Sequence, residues 1–95
     1  MSRSPLERIE AILRQRFRPL HLSIRDDSGR HAGHPGAAAG GGHYEVLIVS
    51  EAFEGLPLLD QHRLVHEALG GLIGREIHAL ALRTIPPSRW PKHPS

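Results

Sequence analysis

The 95-residue sequence contains no cysteine, and its only aromatic residues besides histidine are two Phe, one Tyr and one Trp. Without thiols the chain forms no disulfide scaffold, no cysteine nucleophile and no all-cysteine zinc or iron–sulfur site. The length of the chain predicts one small domain, and these four aromatic side chains fill little of its hydrophobic core. No apolar run approaches the ~20 residues of a membrane-spanning helix and no apolar leader precedes the first elements, so the sequence predicts a cytoplasmic protein without membrane contact.

Lysine is also nearly absent: Lys92 stands against eleven arginines, and the formal net charge is only +2. The arginines are scattered along the chain, so composition gives little support for nucleic-acid binding. Histidine, in contrast, occurs eight times. Because imidazole titrates near neutral pH and commonly binds metals, we expect the chemistry of this chain to involve histidine.

Hydrophobic periodicity predicts five elements in the order helix, strand, strand, helix, strand. The first helix is predicted over about residues 5–17, followed by a half-buried strand over residues 20–25. A strand over residues 43–50 is apolar on both faces, which is typical of a central strand. The second helix is predicted over about residues 58–72, and the third strand over residues 76–83.

The helix ends carry signals of their own. Ser4, Pro5 and Glu7 form a capping-box sequence at the start of the first helix. For the second helix we predict Gly74 as the C-terminal cap. The buried stripe of that helix is predicted to consist of Leu58, Val65, Leu69 and Leu72.

These elements predict a single α+β domain with a three-stranded mixed sheet and the helices on one face. The first two strands are expected to be antiparallel, and the strand–helix–strand unit that follows to pair its strands in parallel through a right-handed crossover. We expect the domain to span residues 1–95 with a core over about 5–90. Residues 29–42, rich in Gly, Ala, Pro and His, predict a mobile loop, and residues 91–95 a frayed tail.

Three segments of the sequence together resemble the BolA family. They are Phe53-Glu54-Gly55, Gln61-His62-Arg63-Leu64-Val65 and Ile77-His78-Ala79-Leu80-Ala81-Leu82. The segment Asp26-Asp27-Ser28 before a histidine-bearing loop and a Trp after the last strand also fit, so the resemblance extends from Leu6 to Trp90. It implies the element order α-β-β-α-β-α, similar to the class II KH domain. The family often has Arg-His-Arg where this chain has Gln61-His62-Arg63, which removes a positive charge and weakens an argument for DNA binding.

The resemblance implies a non-enzymatic partner of a monothiol glutaredoxin, in iron–sulfur cluster assembly, trafficking or iron regulation. The two proteins would share a [2Fe-2S] cluster, with sulfur ligands from the glutaredoxin and its glutathione and histidine ligands from this chain. The implied ligands are His78 and His31, with His34 as a substitute for His31. From the residues alone, His78 also fits a hydrogen-bonded core or edge position, and the loop histidines fit exposed turn positions. No hydrolase or transferase constellation is present in the sequence.

The alternative implied function is a DNA-binding transcriptional regulator, with His62 and Arg63 at the nucleic-acid surface. A third hypothesis is a metal-free interaction domain that binds its partner around the third strand. His62 and His66 share one helix face, which fits either packing or a zinc-binding pair. His43 is interpreted as a structural residue or as a partner of a metal ligand. The GxxG match at residues 71–74 is interpreted as a helix end, because it lies between a helix and a strand.

Overall fold

The computed structural model describes residues 4–27 and 42–91. These residues form two helices and three strands: α1 (Pro5–Phe17), β1 (His21–Asp26), β2 (Gly42–Val49), α2 (Leu58–Ala68) and β3 (Ile77–Ile85). Short 3-10 turns at Glu51–Phe53 and Pro87–Arg89 follow β2 and β3, so the last element of the described chain is a single turn. The predicted element order is confirmed. The predicted loop up to residue 41 and the tail beyond residue 91 lie outside the described residues. The part of the chain that is described contains no helix long and apolar enough to cross a bilayer.

The ends of α1 are fixed by local chemistry, and its predicted bounds are confirmed. The Ser4 hydroxyl accepts a hydrogen bond from the Glu7 N–H, and the Ser4 N–H donates to the Glu7 carboxylate, which completes the capping box. At the other end Arg18 adopts a left-handed conformation with φ 45°. Pro19 follows and has no N–H to extend the helix, so the chain turns into β1.

The sheet has the order β1-β2-β3, with β1 antiparallel and β3 parallel to β2. Both pairings and the central position of β2 are as predicted. Alternate β2 residues Tyr44, Val46 and Ile48 are buried against the helices. Both helices contribute to the same buried cluster, so they cover one face of the sheet. Within residues 4–27 and 42–91 no α-helix lies on the other face, here called the outer face.

The buried cluster joins α1, β2, α2 and the turn that follows β2. Phe53 is completely buried, and its ring lies 5.4 Å from the ring of Phe17, measured between centroids. Ser50 is also completely buried; its hydroxyl donates to the Phe17 carbonyl at 2.7 Å and accepts from the Ala52 N–H at 3.1 Å. These contacts tie the end of α1 to the end of β2 and orient the turn that leads into α2.

Helix α2 is shorter than predicted, and its predicted buried stripe is confirmed at Val65, Leu69 and Leu72 but not at Leu58. It ends at Ala68 rather than at residue 72, because two glycines follow Leu69 and glycine loses more backbone entropy in a helix than other residues. Leu58 is 60% exposed, so its predicted place in the buried stripe is wrong, and Gln61 is buried instead. Gly74 does not cap the helix. It has φ 85° in the turn before β3, where its N–H donates to the Ile77 carbonyl.

The segment after β3 covers one end of the outer face. The Trp90 ring stacks on His21 of β1, with centroids 5.0 Å apart. Ser88 donates hydrogen bonds to the Glu54 carboxylate from both its N–H and its hydroxyl, which fixes the turn. Val49 is completely buried but lies outside the main core cluster. We therefore assign its burial to the outer-face end near His21 and Trp90. The opposite end of the outer face holds the histidines described next.

Candidate functional site

The pairing of β2 with β3 contains one irregularity, at His78. Gly42 of β2 pairs with Ile77, but the next residue, His43, pairs with Ala79. Residue 78 is therefore an extra residue in β3 with no partner in register, which is a β-bulge. Bulges are rare in parallel pairs and re-orient the side chains around them.

The bulge decides which way the His78 side chain faces. Thr84 is buried at the helix side of β3, and Leu80 packs against the core cluster on that side. Strict alternation back from Leu80 would turn residue 78 toward the core and residue 77 away from it. The structure has the reverse: Ile77 is 1% exposed, whereas His78 is exposed. The extra residue thus keeps an apolar side chain in the core and brings an imidazole to the surface.

The exposed His78 ring lies beside His43. The ring centroids are 5.4 Å apart and the planes are inclined by 40°. His43 is half-buried at the start of β2, on the outer face. No three His, Cys, Asp or Glu side chains of the described ranges 4–27 and 42–91 converge as a metal site. A metal bound by these histidines would therefore need further ligands from residues beyond those ranges or from a partner.

An ion pair supports the chain segment that leads into the bulge. The Arg8 guanidinium of α1 donates a hydrogen bond to the Glu76 carboxylate, and both side chains are partly exposed. This bond, more than any other contact, holds the pKa of Glu76 below its ordinary value. The pair connects the first turn of α1 to the residue two positions before His78. In the same region the pKa of Tyr44 is raised, chiefly because the ring is buried.

The Arg8–Glu76 pair predicts a dependence of stability on pH. A carboxyl group whose pKa is lowered by folding stabilises the fold above its unfolded pKa and loses that contribution as the pH falls through the folded pKa. We expect Glu76→Gln to lower the melting temperature near pH 7, and the difference from the wild type to shrink below about pH 4. Thermal unfolding measured from pH 3 to 7 checks this. Glu10→Gln, which removes an exposed pair with Arg14 inside α1, is the control. A Glu76→Gln difference that does not change with pH would contradict the prediction.

The outer face next to the histidines contains two shallow grooves. One of about 370 Å³ is lined by His43, Ala79 and Ala81 among others, and one of about 260 Å³ continues from it along the sheet. Arg25 spans this face from β1, with its guanidinium 2.9 Å from the Glu45 carboxylate and 3.4 Å from Asp27. On β3 this surface beside His78 is lined by the small side chains Ala79 and Ala81.

A family model described as BolA-like protein matches residues 13–89. The chain belongs to the BolA-like family. It is 41% identical over 86 residues to BolA-like protein 1 of Bos taurus, which covers 90% of this chain and 62% of the relative. The chain thus spans about 60% of the length of this mammalian relative.

Two further relatives bear on fold and function. The structure of BolA1 from Arabidopsis thaliana superposes with a TM-score of 0.82 at 34% identity, covering 96% of this chain and 100% of that one. The DNA-binding transcriptional regulator BolA of Escherichia coli is 37% identical over 84 residues, covering 88% of this chain and 77% of the relative. The predicted resemblance and the α+β fold class are therefore confirmed.

Of the other predicted site residues, those that the structure describes lie on α2 and not beside His78. His31 and His34 lie outside the described residues, so their assignment as loop ligands stays a prediction. On α2, His62 is half-buried and Arg63 is exposed, with its guanidinium 3.9 Å from the Asp60 carboxylate. His66 is exposed on the same helix, and neither α2 histidine joins a group of three metal-binding side chains in the described part.

Gln61 is a buried packing residue and not part of the exposed surface at which the family resemblance placed its segment. Its side chain is 6% exposed, donates to the Leu56 carbonyl at 2.8 Å and accepts from the Thr84 hydroxyl at 2.6 Å. Position 61 is thus interior, so exchanging arginine for glutamine there alters packing between α2 and β3 more than it alters an exposed basic surface. The spacing of Gln61, Val65 and Leu69, four residues apart, was the available signal.

Proposed function

We propose that this BolA-like chain is a non-enzymatic partner of a monothiol glutaredoxin and that the two proteins share a [2Fe-2S] cluster. The role would lie in iron–sulfur cluster assembly or trafficking, or in iron regulation. The observation that carries the proposal is the bulge in β3, which exposes His78 at the end of a sheet face that neither α1 nor α2 covers. His78 is the proposed first ligand, and His31 the second, with His34 as its substitute.

The residues present fit such a shared cluster. The chain has no cysteine, so the thiolates must come from the glutaredoxin and its glutathione, whereas imidazole nitrogens are suitable for the remaining positions. Histidine ligation raises the reduction potential of a [2Fe-2S] cluster and makes ligation depend on pH, because only neutral imidazole binds iron. An exposed His78 can meet a partner-bound cluster without any local unfolding of β3. His43, 5.4 Å away between ring centroids, is placed to orient it.

A titration tests the proposal. The protein is added to a monothiol glutaredoxin loaded with a [2Fe-2S] cluster, and visible circular dichroism, iron content and size exclusion are recorded. We expect a new spectrum and a one-to-one complex that retains iron. His78→Ala is expected to change the spectrum and reduce iron retention. His66→Ala, an exposed histidine on α2, is the matched control and should behave as the wild type. A His78→Ala complex with the wild-type spectrum and iron retention would refute the ligand assignment.

The same titration assigns the second ligand. His31→Ala is expected to change the spectrum of the mixed complex, whereas His34→Ala should leave it unchanged as long as His31 is present. If only the His34 variant changes the spectrum, the substitute is the ligand. A complex that forms without iron would instead favour the metal-free interaction around β3.

A second candidate function is DNA binding, favoured by the similarity of the chain to the DNA-binding transcriptional regulator BolA of Escherichia coli. Arg63 is the exposed basic residue of the predicted His62–Arg63 surface. If the surface contacts phosphates, an electrophoretic shift should weaken steeply between a low and a higher salt concentration, and Arg63→Gln should reduce both affinity and salt dependence. No shift at micromolar protein, or a shift that is insensitive to salt, would count against this function.

A further inference from the structure

The strand opposite the bulge begins with a glycine that has no room for a side chain. A Cβ atom added to Gly42 would lie 2.6 Å from Cε2, 2.7 Å from Oη and 2.8 Å from Cζ of Tyr44. Such distances are well inside van der Waals contact between heavy atoms. The Tyr44 ring therefore lies directly against the Gly42 backbone, on the face of β2 that is turned toward the helices.

Tyr44 is not free to make space. Its side chain is 5% exposed and belongs to the main core cluster. Moving the ring outward would open a cavity among packed side chains, which is costly because interiors are close-packed. A substitution at Gly42 must therefore displace either a core aromatic ring or the backbone of β2 itself.

The backbone of Gly42 pairs with β3 on the N-terminal side of the bulge. Its N–H donates to the Glu76 carbonyl at 2.7 Å, and it is in register with Ile77. The next pair, His43 with Ala79, already lies beyond the extra residue. The close approach of β2 to β3 at Gly42 thus fixes one end of the bulge.

Ile77 fixes the same end from the other strand. It is almost completely buried, as is the ring of Tyr44 on β2. Tyr44 is in register with Leu80, which packs against the core on the far side of the bulge. The two residues between Ile77 and Leu80 are left exposed, and one of them is His78.

We propose that Gly42 is a positioning residue for His78: its bare backbone under the Tyr44 ring lets β2 approach Ile77, and this approach keeps the bulge that presents His78 beside His43. The position of His78 beside His43 is a property of the protein alone. The effect of that position on a shared cluster rests on the proposed function. A side chain at position 42 would collide with the Tyr44 ring and separate β2 from Ile77, and His78 would then lose its position.

The test of the geometry uses the protein without a partner. In labelled wild-type protein, NMR should show a nuclear Overhauser cross-peak between the ring protons of His43 and His78. Gly42→Ala is expected to abolish this cross-peak. Gly71→Ala is the control, because Gly71 is exposed and a Cβ added there meets no atom of the described residues within 4 Å apart from its chain neighbours, so the cross-peak should remain.

A second substitution makes the test specific to the tyrosine ring. Leucine has no atoms equivalent to Cε2, Cζ and Oη, so Tyr44→Leu combined with Gly42→Ala removes the collision. The double variant is expected to regain the cross-peak. If Gly42→Ala alone does not fold, the double variant decides: a folded double variant with the cross-peak supports the inference, and one without it overturns it. A folded Gly42→Ala protein that keeps the cross-peak also overturns it.

The cluster readout separates this inference from the proposed function. If the wild type forms the mixed cluster, Gly42→Ala should change its visible circular dichroism and the double variant should restore it. Thr84→Val, which destabilises the domain away from His78, should leave the spectrum unchanged. A wild-type spectrum from Gly42→Ala would overturn the positioning role. If the wild type forms no mixed cluster, the proposed function fails, and the NMR result alone decides the inference.

Discussion

Replacing Phe53 with alanine is expected to lower the free energy of unfolding by about 3–5 kcal/mol. Phe53 is completely buried, stands at the junction of β2 and α2, and packs its ring against Phe17 of α1. The substitution removes the favourable free energy of burying a benzyl group. It also leaves a cavity between α1, β2 and α2, which these elements cannot fill by small shifts. A domain of this size has only about 5–14 kcal/mol of total stability, so the loss is a large part of it.

Urea denaturation checks this prediction, followed by the fluorescence of Trp90, the single tryptophan of the chain. Phe53→Leu is the control, since it keeps much of the apolar volume and should cost less than about 1.5 kcal/mol. A loss below about 1 kcal/mol for Phe53→Ala would mean that the turn after β2 collapses onto the space and is not a fixed part of the core.

The parts of the fold that follow from short-range chemistry could be predicted from the sequence. The bounds of α1 are given by the Ser4 capping box and by Pro19, which act on their immediate neighbours. The central position of β2 follows from a run that is apolar on both faces. Parallel pairing of β2 with β3 follows from the crossover that a helix between two strands requires. In each case one feature of the local sequence is sufficient to predict the element or its pairing.

The burial of Gln61 in α2 could not be predicted in the same way. Leu58, Gln61 and Val65 lie on one helix face, and hydrophobicity alone favoured Leu58 over Gln61 for burial. Tertiary contacts decide which of the two is buried: Gln61 finds a hydrogen-bond donor in Thr84 and an acceptor in the Leu56 carbonyl. Leu58 is left 60% exposed, at a low cost compared with burying an unpaired polar group.

The bulge at His78 likewise could not be predicted from the alternation of apolar and polar residues along the strand. The run Ile77–Leu82 is apolar on nearly every residue, so alternation gives no sign of an inserted residue. His78 could therefore be selected from the family resemblance but not oriented. The register reveals the insertion because Gly42 and His43 are adjacent while their partners, Ile77 and Ala79, are not. The collision between a side chain at position 42 and the Tyr44 ring follows only from the position of that ring in the structure.

The hydrogen bond between Gln61 and Thr84 predicts strongly non-additive substitutions. Both side chains are buried and their atoms are 2.6 Å apart, and this bond is a polar link between α2 and β3. Gln61→Leu leaves the Thr84 hydroxyl and the Leu56 carbonyl without these partners, and we expect a loss of about 1–3 kcal/mol. Thr84→Val leaves the Gln61 amide oxygen buried without its donor and should cost a similar amount, about 1–3 kcal/mol.

The double variant Gln61→Leu with Thr84→Val should cost less than the sum of the single variants, because the Thr84 hydroxyl and the Gln61 amide oxygen are then both absent and only the Leu56 carbonyl lacks its partner. We expect a coupling free energy of about 0.5–3 kcal/mol from urea denaturation of the four proteins in the cycle. Additive losses would mean that water replaces the missing partner in each single variant, and that the contact is less enclosed than its burial indicates. A coupling of the expected size would show that α2 is held on β3 by a satisfied polar contact inside an otherwise apolar core. Glutamine at position 61 would then be a packing residue of the helix–sheet interface, and the exposed basic surface of α2 would begin at Arg63.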